Sequence, residues 1–163
     1  MTETDAELLR RSASGDDGAF EALHARWAPR VEGYLRALLG RSRRTWAEDC
    51  LQEVFLKVRS RASSFDGTGA FRSWLFSIAH NEAMDLHRQE SRRTELRPRA
   101  EPSDPRLEEA LGVLPEEIRS AILLVHLEGM TRPEAAATMG VTEYRIQILC
   151  RDGIQRLKHL LES

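Results

Sequence analysis

Cysteine is scarce in this chain: Cys50 and Cys150 are the only two among 163 residues. They stand far apart, fit no metal-ligand spacing, and each sits in an apolar-periodic segment. They therefore read as two buried, reduced thiols. Aromatic residues make up only 6% of the chain, and no long run of β-branched residues reads as a strand. No apolar run approaches the roughly 20 residues needed to span a bilayer. The amino terminus, MTETDAELLRR, lacks the apolar core of a signal peptide, so a cytoplasmic protein is expected. An excess of positive charge is missing too. With a net charge of -2, any contact with nucleic acid has to come from local arginine clusters. There is no phosphate-cradling GxxxxGK loop, no metal-ligand cluster and no nucleophile–base pairing, so neither an enzyme nor a cofactor is expected.

What the chain does have is apolar residues at helical spacing nearly throughout, within a composition that is 41% hydrophobic and 31% charged. The spacing predicts a short helix over 5–14, then a long one over 17–39 that buries Phe20, Leu23, Trp27, Val31, Leu35 and Leu38, with a kink at Pro29. Gly40 ends it. Arg41, Arg43 and Arg44 fall in the next loop, and a third helix over 45–61 buries Leu51, Val54, Phe55 and Val58. After the Phe65–Gly69 loop, a fourth helix over 70–89 buries Phe71, Trp74, Leu75, Ile78 and Leu86. These four helices read as one bundle, residues 1–92. Residues 93–105, with Pro98, Pro102 and Pro105 among charged and small residues, have a linker composition. Residues 106–163 form a second helical unit, with Leu107, Leu111 and Leu114 packing one helix and Ile118, Ile122, Leu123, Val125 and Leu127 the next. The expected fold is all-α, with two small helical domains on a flexible linker.

The sharpest local signal is the run from Thr131 to Thr142. Thr131 and Glu134 have capping-box spacing, Pro133 suits a first turn, and Gly140 supplies a left-handed turn. Thr142 then caps a last helix that buries Ile146, Cys150, Leu157 and Leu160. A short alanine-rich helix, a glycine turn and a longer helix give a helix-turn-helix, which offers its second helix to a major groove. A plain helical hairpin would look similar. The outward face of the last helix carries Tyr144, Gln147, Ile148, Arg151 and Gln155, and Gly153 weakens the helix by about 1 kcal/mol relative to alanine.

Two further faces stand out in the first unit. Asp49, Gln52 and Glu53, at i, i+3 and i+4 with Leu56 at the edge, form either a solvated surface or a polar patch for a basic partner helix. Asn81, Asp85 and Arg88 share one side of the fourth helix. Arg72 precedes them, and Arg92, Arg93, Arg97 and Arg99 follow. Arginines hold phosphates and asparagine reads base edges, while Phe65, Phe71 and Trp74 are either stacking faces for unpaired bases or core.

In that order along the chain, these residues resemble the extracytoplasmic-function sigma factors. The run Trp46–Val58 resembles the family's polymerase-binding helix. Phe71–Asn81, with Asp85 to Arg88, resembles its promoter-melting and minus-ten-reading helix. Leu114-Pro115-Glu116-Glu117 through Leu161 resembles its minus-thirty-five-reading domain. The resemblance implies a region 2 bundle and a region 4 helix-turn-helix unit. The implied partners are core RNA polymerase (the β′ clamp helices and the β flap), promoter DNA and an anti-sigma protein. Asp49, Gln52, Glu53 and Leu56 would dock on the polymerase. Phe65, Arg72, Asn81, Asp85 and Arg88 would contact minus-ten DNA, with the 65–70 loop holding a flipped base. Arg132, Tyr144, Gln147 and Arg151 would face the minus-thirty-five groove. Two departures mark this chain. His80 stands where the family often has arginine, and Gln147-Ile148-Leu149 where it usually has a lysine, a small polar residue and an arginine. From Arg106 onward there are seven basic against nine acidic side chains. A regulatory interaction protein on the same fold, with weak or no promoter reading, stays open as the alternative.

Overall fold

A computed structural model describes residues 2–40, 43–67, 70–91 and 105–163. Among them every regular element is helical: α1 (Asp5–Ala13), α2 (Asp17–Leu39), α3 (Arg44–Ser60), a 3-10 turn (Ala62–Ser64), α4 (Phe71–Ser91), α5 (Pro105–Val113), α6 (Glu116–Ile122) continued by a π turn (Leu123–Leu127), α7 (Arg132–Met139) and α8 (Glu143–Glu162). The starts are set by local chemistry. Thr4 and Glu7 make a capping box on α1, the Asp16 carboxylate accepts from Ala19 N at 3.0 Å to start α2, and Thr131 with Glu134 makes the same box on α7. Gly40 and Gly140 end α2 and α7 with φ of 83° and 67°, a backbone conformation that side chains disfavour. Pro29 is accommodated inside an unbroken α2.

In the first unit, α2 is the central post. Leu23, Val31, Tyr34, Leu35 and Leu38 of α2 are fully buried with Val54 and Val58 of α3 and Leu75, Phe76, Ala79 and Ala83 of α4. Phe76 meets Trp27 and Tyr34 edge-on, with ring centroids 6.5 and 5.3 Å apart. Helix α1 is tied to this post by Asp5, which accepts from Trp27 Nε1 at 2.9 Å and from Arg26 at 2.7 Å. In the second unit α5, α6 and α7 pack around α8, burying Ile118, Ile122, Leu124, Ala135, Ile146 and Leu149. The two units are in contact, with α4 against α7 and α2 against α6 and the π turn.

Several burial expectations need correction. Leu107, Leu127 and Leu160 are exposed. Leu160 lies in the last turns of α8, where every residue from Lys158 onward is exposed; the helix overhangs the packed unit. Leu127 is turned out by the π turn, in which Glu128 N donates to Leu123 O at 3.0 Å, a wider loop than α-helix that shifts the helical register. Leu107, in the first turn of α5, is left uncovered by the described residues. Phe20, Leu51, Trp74, Leu86, Leu111, Val125, Cys150 and Leu157 are half-buried rims of the core rather than its centre. Arg44 opens α3 and Pro105 opens α5, one residue earlier than expected in each case. Arg41, Thr68, Gly69 and residues 92–104, with the linker prolines Pro98 and Pro102 and the arginines from Arg92 to Arg99, lie outside the described residues.

Gly153 is the position where the structure most changes the reading of the sequence. It is buried, and a Cβ built on it would lie 2.7 Å from Ile118 Cγ2 and 2.8 Å from Ile122 Cγ1. The glycine lets α8 approach α6 closely, so its low helix propensity is the cost of the contact. On an open helix Gly→Ala stabilises by about 1 kcal/mol; here overpacking dominates. Gly153→Ala is expected to destabilise the chain by roughly 1–3 kcal/mol in urea unfolding, and a gain in stability would refute the close-packing account.

Candidate nucleic-acid interface

Helix α3 presents its polar face to solvent. Asp49, Gln52 and Glu53 are all exposed, Leu56 beside them is 59% exposed, and no described residue forms an ion pair with either carboxylate. The opposite side of the helix is anchored by Cys50, Val54, Phe55 and Val58. Burial pushes the Cys50 thiol up to about 12, so it is a protonated, inert group. An acidic, apolar-edged stripe on a rigid helix is a surface suited to a basic protein partner.

On α4, Asn81, Asp85 and Arg88 are exposed together, and Arg88 donates to Asp85 at 3.2 Å. Between α3 and α4 they border an open groove of about 270 Å³, whose other polar walls are Lys57, Arg61 and Glu82 and whose floor is Ile78 and Met84. Lys57 is paired with Glu82; Arg61 and Arg88 are exposed. Lys57 and Arg61 were not among the expected site residues. Their i, i+4 spacing, on a side of α3 away from the buried stripe, was the available signal. Above this face Phe65 stacks obliquely on Trp74 at 5.4 Å and edge-on to Phe71 at 6.0 Å. Phe71 is buried, whereas Phe65 and Trp74 are half-buried and keep part of their rings open.

Arg72 is not brought to this face. Nine residues separate it from Asn81, about two and a half helical turns, so the two point to opposite sides of α4. The Arg72 guanidinium donates instead to the Glu128 carbonyl at 3.2 Å and to the Glu134 carboxylate at 3.0 Å, both in the second unit. His80 is buried, with Nδ1 3.1 Å from Tyr34 Oη. Burial holds its imidazole down to about 4 and keeps the Tyr34 hydroxyl protonated. Nearby His87 is also held down to about 4, by burial and then by Arg43 and Arg119.

In the second unit Tyr144, at 71% exposure, lies with Gln147, Arg151 and Gln155 on one open face of α8, and Arg132 is exposed on α7. Ile148 is half-buried, at the edge of that face rather than in it. Leu149 is buried and serves the core. Arg145 is turned off the face by a two-pronged ion pair with Glu117 of α6, at 3.0 and 2.6 Å. The reading face is therefore short of positive charge by construction as well as by composition.

Comparison with known proteins follows the same division of the chain. The family Sigma-70 region 2 matches residues 23–93, and Sigma-70, region 4 matches 105–148. The RNA polymerase sigma factor CarQ of Myxococcus xanthus is 34% identical over 94% of this chain and 95% of its own length. The ECF RNA polymerase sigma factor SigK of Mycobacterium sp. (strain JLS) is 30% identical over 94% and 89%. The chain belongs to the extracytoplasmic-function sigma factors. Its fold is shared by CnrH, solved with the cytosolic domain of CnrY, at a TM-score of 0.77 and 27% identity over 98% of both chains. It is shared too by RpoE, solved with the anti-sigma factor NepR from Bartonella quintana, at a TM-score of 0.79 and 24% identity over 88% and 97%. In this sigma factor, the greater part of α2 with α3 and α4 carries the region 2 match, and α5 to the first part of α8 the region 4 match. No helix among the described residues is long and apolar enough to cross a membrane.

Buried His80 and half-buried His87 give this sigma factor a pH dependence of known sign. Below pH 6.5 the unfolded chain takes protons on His80 and His87, while the folded chain, with both held to about 4, does not. Stability therefore falls as pH drops through that window. The share of His80, on the order of 1–2 kcal/mol between pH 7 and 5, should vanish in His80→Asn. Burial raises the Glu128 and Glu116 carboxyls, which act with the opposite sign and reduce the net slope. Urea unfolding at the two pH values measures it, and an identical slope in the variant would remove His80 from the account.

Proposed function

We propose that this chain binds core RNA polymerase and directs initiation at a bipartite promoter, contributing specificity and strand capture rather than catalysis. The observation that carries the reading is the pair of open faces on one rigid bundle. The acidic α3 stripe of Asp49, Gln52, Glu53 and Leu56 is exposed and unpaired among the described residues. The α3–α4 groove beside it offers Asn81, Asp85, Arg88 and Arg61. The first is assigned to the polymerase β′ clamp helices. The second is assigned to minus-ten DNA, with Phe65 and the half-open Trp74 as stacking surfaces for an unpaired base and Asn81 as the reader of a base edge. Arg72 is withdrawn from that set because of where it points.

Arg132, Tyr144, Gln147 and Arg151 are assigned to the minus-thirty-five groove, with region 4 also meeting the β flap. With Arg145 held by Glu117, few phosphates are neutralised on this side, so the upstream contact depends weakly on salt. An anti-sigma protein is proposed as the regulatory partner, an assignment supported by the solved RpoE relative with its anti-sigma factor. The proposed place of work is the cytoplasm.

Run-off transcription with core polymerase, this chain and a set of genomic promoters tests the reading; failure to bind core polymerase would sink it. Asp49→Lys combined with Glu53→Lys should abolish polymerase binding while shifting stability by no more than about 0.5 kcal/mol, as exposed surface changes do. Arg61→Glu should leave polymerase binding intact and cut initiation at least tenfold. Unfolding of the Asp49/Glu53 variant would mean that the α3 stripe is structural.

A further inference from the structure

Helix α1 is joined to the stacking rings of the first unit by two separate routes, although it lies outside every surface assigned so far. The region 2 match begins at residue 23, whereas α1 ends at Ala13, and α1 supplies no wall of the α3–α4 groove. It buries Leu8 and Leu9, and Asp5 in its first turn is half-buried. The Asp5 carboxylate accepts from Trp27 Nε1 at 2.9 Å and from Arg26 at 2.7 Å. A buried indole N–H left without an acceptor is costly, so this bond fixes the rotation of the Trp27 ring as well as the seat of α1.

From Trp27 the first route passes ring to ring. Trp27 meets Phe71 edge-on, with centroids 5.8 Å apart, and Phe71 meets Phe65 edge-on at 6.0 Å. Close packing and the preferred geometry of aromatic pairs let a turn of one ring be felt by the next. The second route is through the backbone. Helix α1 packs on the 3-10 turn Ala62–Ser64, in which Ala62 is buried. As the chain leaves that turn, Phe65 N donates to Ala62 O at 3.4 Å. Both the backbone root of Phe65 and its ring are therefore set from α1.

We propose that α1 is a positioning element for strand capture, in which Asp5, acting through Trp27 and Phe71, holds the Phe65 ring against Trp74 at the angle an unpaired base needs. The proposal rests on the reading of Phe65 and Trp74 as stacking surfaces. A base gains by meeting a ring already in place, because ordering a free side chain at the moment of capture costs entropy that weakens binding. Asp5 is a positioning residue, two rings removed from Phe65. The α3 stripe takes part in neither route, so polymerase binding does not depend on it.

Variants of the full chain separate positioning from stability. Each is read by its affinity for core polymerase and by the permanganate reactivity of unpaired minus-ten thymines, at a promoter that the parent opens. Asp5→Ala should bind polymerase within twofold of the parent and lose at least fivefold in strand opening. Asp5→Asn, which keeps an oxygen for Trp27 Nε1, should recover to within twofold of the parent. Phe65→Ala should lose at least tenfold. Asp5→Ala combined with Phe65→Ala should be no worse than Phe65→Ala alone, because Asp5 acts through that ring. Losses that multiply in the double variant, a loss of polymerase binding that keeps pace with the loss of opening, or an Asp5→Ala chain that opens the promoter fully each overturn the positioning role. An Asp5→Asn chain as poor as Asp5→Ala overturns the route through the indole. If Asp5→Ala does not fold, Trp27→Phe, which removes the N–H and keeps an aromatic ring, takes its place with the same expected loss. A parent that opens no promoter, or a Phe65→Ala chain that opens as well as the parent, sinks the stacking reading and the proposal with it.

Discussion

The Arg119 guanidinium carries a charge into the protein where, among the described residues, no carboxylate forms an ion pair with it. It is held by three backbone carbonyls: Leu38 at 2.7 Å, and Gly112 and Leu114 at 2.9 Å. Leu38 lies in the last turn of α2 and Gly112 in the last turn of α5, so the cation sits where the partial negative charge of two helices gathers. Burial lowers its pKa, yet a guanidinium stays charged throughout the accessible range. A planar fork suits this geometry, since one side chain closes α5 onto α6 and then reaches into the other half of the molecule. Lysine offers a single nitrogen and could not span three carbonyls in this way.

Around that anchor the molecule separates two kinds of contact. Within each half the packing is apolar and tight, as with Phe76 between Trp27 and Tyr34 or Gly153 against the isoleucines of α6. Between the halves the buried apolar cluster continues, and charged and hydrogen-bonded groups are added to it. Glu128 is buried while its partner Arg30 is largely exposed, so removing the arginine strands the carboxylate, whereas removing the carboxylate returns the arginine to water. His80 stands where the resemblance leads one to expect arginine. Buried beside Tyr34, the position accepts a small neutral ring more readily than a long cation, whose charge would be stranded there.

Elements defined by their own residues were legible in the sequence. The capping pairs Thr131–Glu134 and Thr142, the turn at Gly140 and the span of α2 depend on neighbours within a few positions, so the chain announces them. The exposed faces of Asp49, Gln52 and Glu53, and of Asn81, Asp85 and Arg88, follow from periodicity for the same reason. What depends on distant residues was not legible. Arg72 looks like one of a basic series until α7 covers its side of the helix. Leu127 looks buried until a π turn shifts the register by a fraction of a turn. Gly153 looks like a flaw until α6 is laid across it, and Ile148 looks misplaced until the edge of the face is drawn. In each case the deciding neighbour is remote in sequence and leaves no periodic trace.

The close crossing at Gly153 also bears on how this sequence can drift. A methyl group there collides with Ile118 and Ile122 together, so neither α6 nor α8 can change volume alone at this point. A lineage that acquires alanine or serine at 153 has to shed bulk at 118 or 122 in compensation. One that keeps the glycine leaves both isoleucines free to stay large. The three positions should therefore trade volume as a unit, a covariation that records the crossing of two helices and carries no information about promoter choice.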